Sequence, residues 1–389
     1  MKYIIKNKLK LLTSTLIIFT LIFNFVTQQT PAFSTKVTEI SAPSAILVDE
    51  NTGAVLYSKN PDEKKCCASI TKIMTVLLVM ESIENKKIKL EDNVTVSEHA
   101  SSIGGSDIWL KENEIMTVDD LLKATIVASA NDAATALAEY IFGTEEKFVN
   151  EMNKRANELG MNNTVFKNCN GLDEEGHVSS ARDISVMSRE LLKHKDILRY
   201  TSIWMDYLRN GETQIVNTNK LLKSFEGITG LKTGTTDDAG CCICASAKRG
   251  DISLIAVILG AKTSKDRFKD AANLLNYGFD NFISVMPKID ESALIPVKVK
   301  KGMKSTLKIK VLDVKKILIP KDREKEIKST LELKREIIAP ITKGQKIGKL
   351  IYKLKDKNLV EFYVVADENI EKINFKDMLK VILKELFRC

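Results

Sequence analysis

Apolar residues of this chain fall into extended, strand-like runs at two separate places. The first two runs, Ala45–Asp49 and Ala54–Ser58, are joined by a short turn sequence that ends in glycine and predicts a β-hairpin. Three more runs, Gly230–Thr235, Cys241–Lys248 and Ser253–Leu259, follow much later and are also separated by turn sequences. The pattern therefore predicts strands at both ends of one domain.

Helical periodicity predominates between these two groups of strands. Apolar residues recur at helical spacing over Ser69–Asn85 and again over Val118–Phe142. Ser180 resembles the first residue of a capping box and predicts a third helix that ends at Leu192. A closing helix is predicted over Asp270–Phe279. This order predicts an α/β fold of the α+β type, in which helices flank one antiparallel sheet.

The composition changes after about residue 285. Lysine-rich β-type runs such as Leu294–Lys300, Thr306–Leu312 and Phe362–Val365 replace the long helices and predict a small separate β domain. The expected organisation is a signal peptide at 1–34, a main domain at 35–285, a β-rich C-terminal domain at 286–369 and an amphipathic helix at 370–389.

The last segment has the pattern of an amphipathic helix. Its apolar residues lie at helical spacing on one face, and lysine and arginine occupy the other: the apolar set is Phe375, Met378, Leu379, Ile382, Leu383, Leu386 and Phe387. Such a helix can lie in a membrane interface, and it can also pack on its own β domain. We expect the first arrangement, so the membrane surface is an expected partner.

The amino terminus has the order of regions found in a secretory signal peptide. Lysines precede an apolar run from Leu11 to Val26, and polar residues with Pro31 and Ala32 follow it. A retained membrane helix is the alternative, but the run is short for a membrane span. We therefore expect an exported protein at the outer face of the cytoplasmic membrane.

Charge and cysteine content limit the partners and cofactors. The net charge is +8, and lysine and arginine are concentrated after residue 285, whereas acidic residues prevail between residues 35 and 285. A basic end suits lipid headgroups or wall polymer, and export argues against nucleic acid. The chain has seven cysteines and three histidines, and no two histidines have the spacing of metal ligands. We therefore expect neither a metal nor any other cofactor.

Three short elements carry the chemical interpretation. They are Ser69-Ile70-Thr71-Lys72, Ser129-Ala130-Asn131 and Lys232-Thr233-Gly234. Each is weak alone, since Ser305-Thr306-Leu307-Lys308 also fits the first pattern. Their order, and their predicted places at a helix start, in a loop between helices and on a strand, favour a common site.

A serine and a lysine three residues apart on a helix project from the same face. The Lys72 amine could then accept the proton of the Ser69 hydroxyl, provided that burial and the like charge of Lys232 lower its pKa. Ser129 could return a proton to a leaving amine, and Asn131 could bind a peptide group of the substrate. The strand at Lys232–Thr235 could pair with an extended peptide, with Gly234 allowing a close approach.

These elements resemble those of the serine penicillin-recognising enzymes. Longer stretches, such as VDDLLKATIVASANDAATALAEYI, GHVSSARDIS and GLKTGTTDDAG, are similar to the low-molecular-mass D-alanyl-D-alanine carboxypeptidases, peptidase family S11. The resemblance covers most of residues 38–389. It implies a β-lactamase/transpeptidase-like fold and hydrolysis of the terminal D-alanine of peptidoglycan pentapeptides through an acyl-enzyme on Ser69, with β-lactams as covalent inhibitors.

The resemblance also implies roles for individual residues. The backbone N–H groups of Ser69 and Thr235 would form the oxyanion hole, and Arg267 would lie near the terminal carboxylate of the substrate. Two simpler interpretations remain open: Arg267 as a solvated residue at a helix start, and His177 as a loop residue before a capped helix. The expected site is therefore catalytic Ser69, Lys72, Ser129 and Asn131, with substrate bound by Lys232, Thr233, Gly234, Thr235 and Arg267.

The sequence departs from the family pattern in two places. Ala130 stands where the family has glycine or aspartate, and Cys66 and Cys67 precede the nucleophile where proline or small residues are common. Two other functions on the same fold are a β-lactamase and an inactive module that binds wall or membrane. We find no convincing Glu-x-x-x-Asn element for the first, and the intact Ser69 and Lys72 argue against the second.

Overall fold

The computed structural model describes residues 39–386 of the chain. The predicted signal peptide, residues 1–34, lies outside the described residues, as do the last three residues of the predicted amphipathic segment. Two groups of elements make up the described range, helices packed on a sheet and, after residue 285, mainly short strands.

Eighteen strands lie within residues 39–386: β1 Ser44–Asp49, β2 Val55–Lys59, β3 Asn93–Thr95, β4 Ile115–Thr117, β5 Met205–Leu208, β6 Thr213–Val216, β7 Ile228–Thr236, β8 Gly240–Arg249, β9 Ile252–Ala261, β10 Phe282–Val285, β11 Val297–Lys300, β12 Thr306–Leu307, β13 Ile309–Val311, β14 Ile317–Pro320, β15 Ile327–Leu333, β16 Glu336–Ile338, β17 Lys346–Leu354 and β18 Lys357–Ala366. The same range holds ten α-helices: α1 Lys72–Glu84, α2 Glu98–Ser102, α3 Val118–Val127, α4 Asn131–Phe142, α5 Glu145–Glu158, α6 Ala181–Leu191, α7 Leu198–Thr201, α8 Leu221–Ser224, α9 Ser264–Asn281 and α10 Phe375–Leu386.

The main sheet is built from both ends of its domain. Its strand order is β2-β1-β9-β8-β7, and every neighbouring pair is antiparallel. The pairing of β1 with β9 brings Ser44 opposite Leu259, although the two residues are far apart in the chain. The predicted antiparallel sheet flanked by helices is therefore confirmed.

Both faces of this sheet are buried, which explains the nearly continuous apolar sequence of β9. Successive side chains of a strand point to opposite faces. Ile255, Val257 and Leu259 enter the core formed with α1 and the other central helices, and Leu254, Ala256 and Ile258 enter the core formed with α9. The sheet thus separates two apolar cores and holds β7 at its edge, next to the central helices.

Two predicted helices differ from the observed ones in ways that affect the site. The helix predicted over Val118–Phe142 is interrupted, because Ser129 has a φ of 64° and ends α3 before α4 begins at Asn131. A helix needs a φ near −63°, so this residue cannot continue it. The helix predicted from Ser69 begins as a 3-10 turn over Ala68–Thr71, and α1 starts only at Lys72.

The β-rich part has its own core and is also paired with the helical part. Sheets of order β13-β18-β17-β15 and β12-β11-β16 enclose apolar residues such as Leu307, Val364 and Ile347. Strand β10, which follows α9, pairs with β14 of this part, and Leu318 on β14 packs in the core beneath α9. The two parts therefore share an apolar contact.

Helix α10 presents apolar residues to solvent. Phe375 is 75% exposed, and Met378, Leu379 and Leu383 are also exposed. Their spacing places them along one stripe of the helix. Among the helices of residues 39–386, none has the length and apolar character needed to cross a membrane.

Candidate active site

Ser69 and Lys72 lie together at the start of the central helix. Ser69 belongs to the 3-10 turn, and Lys72 is the first residue of α1. The Lys72 side chain is fully buried, and its Nζ lies 3.1 Å from Ser69 Oγ. The tighter turn therefore still brings the amine within hydrogen-bond distance of the hydroxyl.

Two carbonyl oxygens hold the amine in place. Lys72 Nζ donates to the side-chain oxygen of Asn131 at 2.6 Å and to the backbone oxygen of Asn170 at 2.7 Å. Burial lowers the pKa of the Lys72 amine to about 7, and Cys169, Asp107 and Asp132 oppose that change. A neutral amine has two N–H groups and one lone pair. With both N–H groups donated to carbonyls, the lone pair is directed at Ser69.

The interruption between α3 and α4 positions Ser129 and Asn131. Ser129 Oγ accepts a hydrogen bond from Lys232 Nζ at 2.8 Å. The Asn131 side chain donates to Gly104 O at 2.7 Å, and its backbone N–H donates to Ser106 O at 2.6 Å. The amide is thus fixed by a neighbouring loop, with its oxygen on Lys72 and its nitrogen on that loop.

The edge strand β7 contributes Lys232. Its Nζ also donates to the backbone oxygen of Thr233 at 3.0 Å. Burial lowers the pKa of the Lys232 amine, and the positive charges of Lys72 and Arg267 lower it further. Thr233 Oγ1 donates to Thr218 Oγ1 at 2.7 Å, which ties the strand to the segment after β6.

Gly234 allows β7 to approach the Ser69 turn. A Cβ atom at this position would lie 2.9 Å from Cys67 O and 3.0 Å from the backbone nitrogen of Ser69. These distances are too short for any residue with a side chain. The absence of a Cβ at Gly234 therefore sets the distance between the strand edge and the backbone of the Ser69 turn.

Arg267 on α9 supports the same strand from behind. Its Nη1 donates to Gly234 O at 2.8 Å, to Thr235 Oγ1 at 2.7 Å and to Cys242 O at 3.3 Å. The residue is only 7% exposed, so the interpretation as a solvated residue at a helix start is wrong. Thr235 itself is exposed beside the strand edge.

Sequence reasoning missed the loop that carries Asn170. Gly171 has a φ of 87°, and a Cβ there would lie 2.0 Å from Ala68 O, so the loop presses on the backbone just before Ser69. The Asn-Gly pair at positions 170 and 171 is a turn signal that marks this loop. The role of a backbone carbonyl cannot be read from residue identity.

The cysteines of residues 39–386 are all unpaired. Burial raises the pKa of the Cys67 thiol to about 11 and those of Cys242 and Cys244 to about 12. Cys242 and Cys244 are small buried side chains on β8. Within the same range, no group of three or more His, Cys, Asp or Glu side chains is arranged to bind a metal ion.

Family sequence patterns match both parts of the chain. The pattern described as D-alanyl-D-alanine carboxypeptidase, peptidase S11, matches residues 29–263. The pattern described as the C-terminal domain of penicillin-binding protein 5 matches residues 290–372. Together the two matches span most of the chain.

Individual relatives agree with these matches. D-alanyl-D-alanine carboxypeptidase DacF of Bacillus subtilis (strain 168) is 44% identical over 343 residues, which cover 87% of this chain and 88% of that protein. The crystal structure of penicillin-binding protein 5 from Haemophilus influenzae has a TM-score of 0.77 at 32% identity and covers 87% of this chain and 100% of that one. Penicillin-binding protein D2 from Listeria monocytogenes, in its ampicillin-bound form, has a TM-score of 0.58 at 33% identity and covers 63% of this chain and 100% of that one.

Proposed function

This chain belongs to the D-alanyl-D-alanine carboxypeptidase family, peptidase S11, and is a serine hydrolase of that class; we propose that Ser69 is its nucleophile, acting on peptidoglycan stem peptides that end in D-Ala-D-Ala. The observation that carries this assignment is the position of the Lys72 amine, which lies between Ser69 Oγ, the Asn131 side chain and the Asn170 carbonyl. A base with two fixed N–H groups is oriented before substrate arrives.

The first chemical step forms an acyl-enzyme. Ser69 Oγ attacks the carbonyl carbon between the two D-alanines while its proton moves to the lone pair of Lys72. The C–N bond then breaks, and the proton that Lys72 accepted passes by way of the Ser129 hydroxyl to the amine of the terminal D-alanine, so Lys72 is neutral again and Ser129 keeps its hydroxyl. Lys232 holds Ser129 Oγ at 2.8 Å for this transfer. The backbone N–H groups of Ser69 and Thr235 bind the oxyanion, at the point where Gly234 lets the strand come close.

The substrate is bound along β7. Its backbone pairs with the strand edge at Thr233–Thr235, and the Asn131 amide binds a peptide group of the stem. The terminal carboxylate lies near Thr235 and Lys232, and Arg267 positions Thr235 through the hydrogen bond to its hydroxyl. The buried cations Lys232 and Arg267 favour an anionic end group at this position.

Water completes the reaction by attacking the ester of the acyl-enzyme. Lys72 removes a proton from the water and delivers it to Ser69 Oγ as the ester bond breaks, so the Ser69 hydroxyl and the neutral amine are both restored. A β-lactam acylates Ser69 in the same way, but its leaving group remains attached to the acyl group, so the ester persists and inhibits the enzyme. The reaction requires no cofactor in this scheme.

Acylation by a fluorescent penicillin, together with D-alanine release from a peptide ending in D-Ala-D-Ala, tests this assignment. We expect a long-lived label and D-alanine release with the unaltered protein, and neither with Ser69→Ala. The matched control is Ser305→Ala, because Ser305 also begins a Ser-x-x-Lys sequence but lies in the β-rich part. Rapid turnover of the penicillin would indicate a β-lactamase, and absence of both signals would indicate an inactive binding module.

We further propose that the protein is exported, with its main domain at residues 35–285 and its β-rich domain at 286–369, and that α10 attaches it to the membrane surface. The exposed apolar stripe of Phe375, Met378, Leu379 and Leu383 supports this proposal. The net positive charge of the C-terminal part favours contact with anionic headgroups.

Sedimentation with phosphatidylglycerol vesicles tests the attachment. Deletion of residues 374–389, and the single change Leu379→Asp, are both expected to reduce vesicle binding. The matched control is Ile338→Asp, since Ile338 is 60% exposed but lies on β16. Full binding by the deletion variant would mean that another element holds the protein at the membrane.

A further inference from the structure

His177 is buried beneath the Ser69 turn, although it belongs to a loop. It is 3% exposed, and its ring packs edge-on against Phe166 with 5.9 Å between the ring centres. An isolated bridge between Val165 and Val178 closes the base of this loop. A polar ring that is buried so completely requires hydrogen-bond partners.

The partners of the ring define its tautomer. The backbone N–H of Lys167 donates to Nδ1 at 3.2 Å, so Nδ1 carries no proton. The proton is therefore on Nε2, which donates to Thr71 Oγ1 at 2.8 Å. The Thr71 hydroxyl is then free to donate to Cys67 Sγ, 3.4 Å away. Thr71 lies between Ser69 and Lys72 in the chain, so the imidazole is bonded directly to the nucleophile's turn.

The imidazole is neutral near neutral pH. Burial, with a smaller contribution from Lys167, lowers the pKa of His177 to about 4, although Glu174 and Asp173 oppose the change. A second proton would place an N–H on Nδ1, opposite the Lys167 N–H. The neutral form therefore keeps one donor and one acceptor, as both neighbours require.

The loop that carries His177 also contacts the catalytic amine. Asn170 O accepts from Lys72 Nζ, and Cys169 O accepts from Thr75 Oγ1 one turn further along α1. The hydrogen bond between His177 and Thr71 is a third attachment between the same two segments. Together the three bonds fix the Asn170 carbonyl relative to the Ser69 turn.

We propose that His177 is a positioning residue of the active site. Through its hydrogen bond to Thr71, it fixes the position of the Asn170 carbonyl relative to the Ser69 turn, and this relative position directs the lone pair of Lys72 at Ser69. The proposal rests on the proposed function of Ser69 and Lys72 and extends it to a residue that does not contact substrate. Without the imidazole, the loop moves relative to the turn. A misplacement of about 1 Å can lower a catalytic rate about 100-fold.

The acylation rate of folded protein by fluorescent penicillin, measured between acidic and alkaline pH, tests the proposal. We expect His177→Leu to lower this rate by about 10- to 100-fold. The loosened loop also admits water to Lys72, so the rise of the rate with pH should move to higher pH. His177→Gln, which offers both an N–H donor and an oxygen acceptor, should recover part of the rate. His194→Leu is the matched control, since His194 contacts Glu84 instead, and it should change neither quantity.

Thr71→Val provides a second route to the same test if His177→Leu does not fold. It removes the hydroxyl with little change of shape and should lower the acylation rate to a similar extent. Because both changes break the same hydrogen bond, the variant that carries both should acylate no more slowly than the slower of the two single variants. The proposal is overturned if His177→Leu or Thr71→Val lowers only the melting temperature and leaves the rate and its pH dependence unchanged. If unaltered protein is not labelled at Ser69, the proposed function itself is wrong, which is a distinct result.

Discussion

At the scale of single residues, two buried lysines have different surroundings although both have a lowered pKa. Lys72 is bonded to the oxygens of Asn131 and Asn170, whereas Lys232 is bonded to Ser129 Oγ and Thr233 O. Burial is the main cause in both cases, because it penalises the charged amine. Lys72 is the proposed base, so the rate of acylation at Ser69 should depend on whether the Lys72 amine is charged.

We predict that acylation of Ser69 by penicillin accelerates as the pH rises through about 7. Burial lowers the pKa of Lys72 to about 7, so the amine is charged and inactive as a base below that pH and neutral above it. Lys72→Arg remains charged and should acylate slowly at every pH. Stopped-flow labelling between pH 5.5 and 8.5 measures this dependence, and a flat profile would contradict it.

A second prediction concerns Gly234, whose missing side chain lets β7 lie against the Ser69 turn. Gly234→Ala places a methyl group 2.9 Å from Cys67 O, so the strand must move away. We expect slower acylation and a loss of about 1–3 kcal/mol of stability. Gly278→Ala is the control: it crowds Leu254 in the other core, and should lower stability without slowing acylation by the folded protein. Equal acylation rates for both variants would argue against the role of Gly234.

At the scale of elements, the site is built where regular structure stops. Ser69 lies in a 3-10 turn, Ser129 in the interruption between α3 and α4, and Asn170 in a loop. Buried side chains and backbone groups hold these irregular segments. Asp132, at the start of α4, is an example: its carboxylate accepts from the backbone N–H groups of Ile108, Leu110 and Ala133.

We predict that Asp132→Ala lowers the free energy of unfolding by about 3 kcal/mol and slows acylation. The change leaves buried N–H groups without an acceptor, and each such group costs about 1–3 kcal/mol. It also releases the loop that holds the Asn131 amide. Urea unfolding measures the free energy of unfolding. The control is Asp120→Ala, on the half-exposed side of α3, which should lower the free energy of unfolding by less than about 1 kcal/mol. A similar cost for both variants would contradict this prediction.

The sequence predicted the regular elements well and their ends less well. Apolar runs between turn sequences identified β7, β8 and β9, and the capping-box pattern at Ser180 identified the start of α6, because those patterns depend on nearby residues. Helical periodicity alone continues through Ser129, since the flanking residues are good helix formers, whereas the motif correctly placed this residue in a loop between helices. The Asn170 carbonyl and the burial of Arg267 depend on contacts between distant segments, which local patterns do not contain. The three motifs gave the candidate residues, but not the groups that hold them.

At the scale of the whole molecule, the β-rich part packs against the part that contains the main sheet. Strand β14 pairs with β10, and Leu318 on β14 packs with Phe282 in the core beneath α9. Lys316 also forms an ion pair with Asp251 at 2.6 Å, in the turn between β8 and β9. The apolar contact contributes more than the exposed ion pair, whose value is small.

We predict that Leu318→Ala destabilises the part that contains the active site. Leu318 is 4% exposed, and loss of a buried leucine costs about 2–5 kcal/mol. The fraction of protein that penicillin can label should therefore fall at a lower urea concentration. Leu312→Ala, at a position 37% exposed, should leave that midpoint nearly unchanged. If the labelling midpoint does not respond to Leu318→Ala, the two parts unfold independently.

The unpaired thiols have a consequence for how this protein matures. Six cysteines lie within residues 39–386, and none of them is paired with another in the structure. Burial raises the pKa of three of them, Cys67, Cys242 and Cys244, so these three are thiols at neutral pH, whereas thiolates are the species that react with oxidants. Within residues 39–386, the catalytic cleft is therefore held together by packing and hydrogen bonds without a disulfide bond, and the three buried thiols around it resist oxidants.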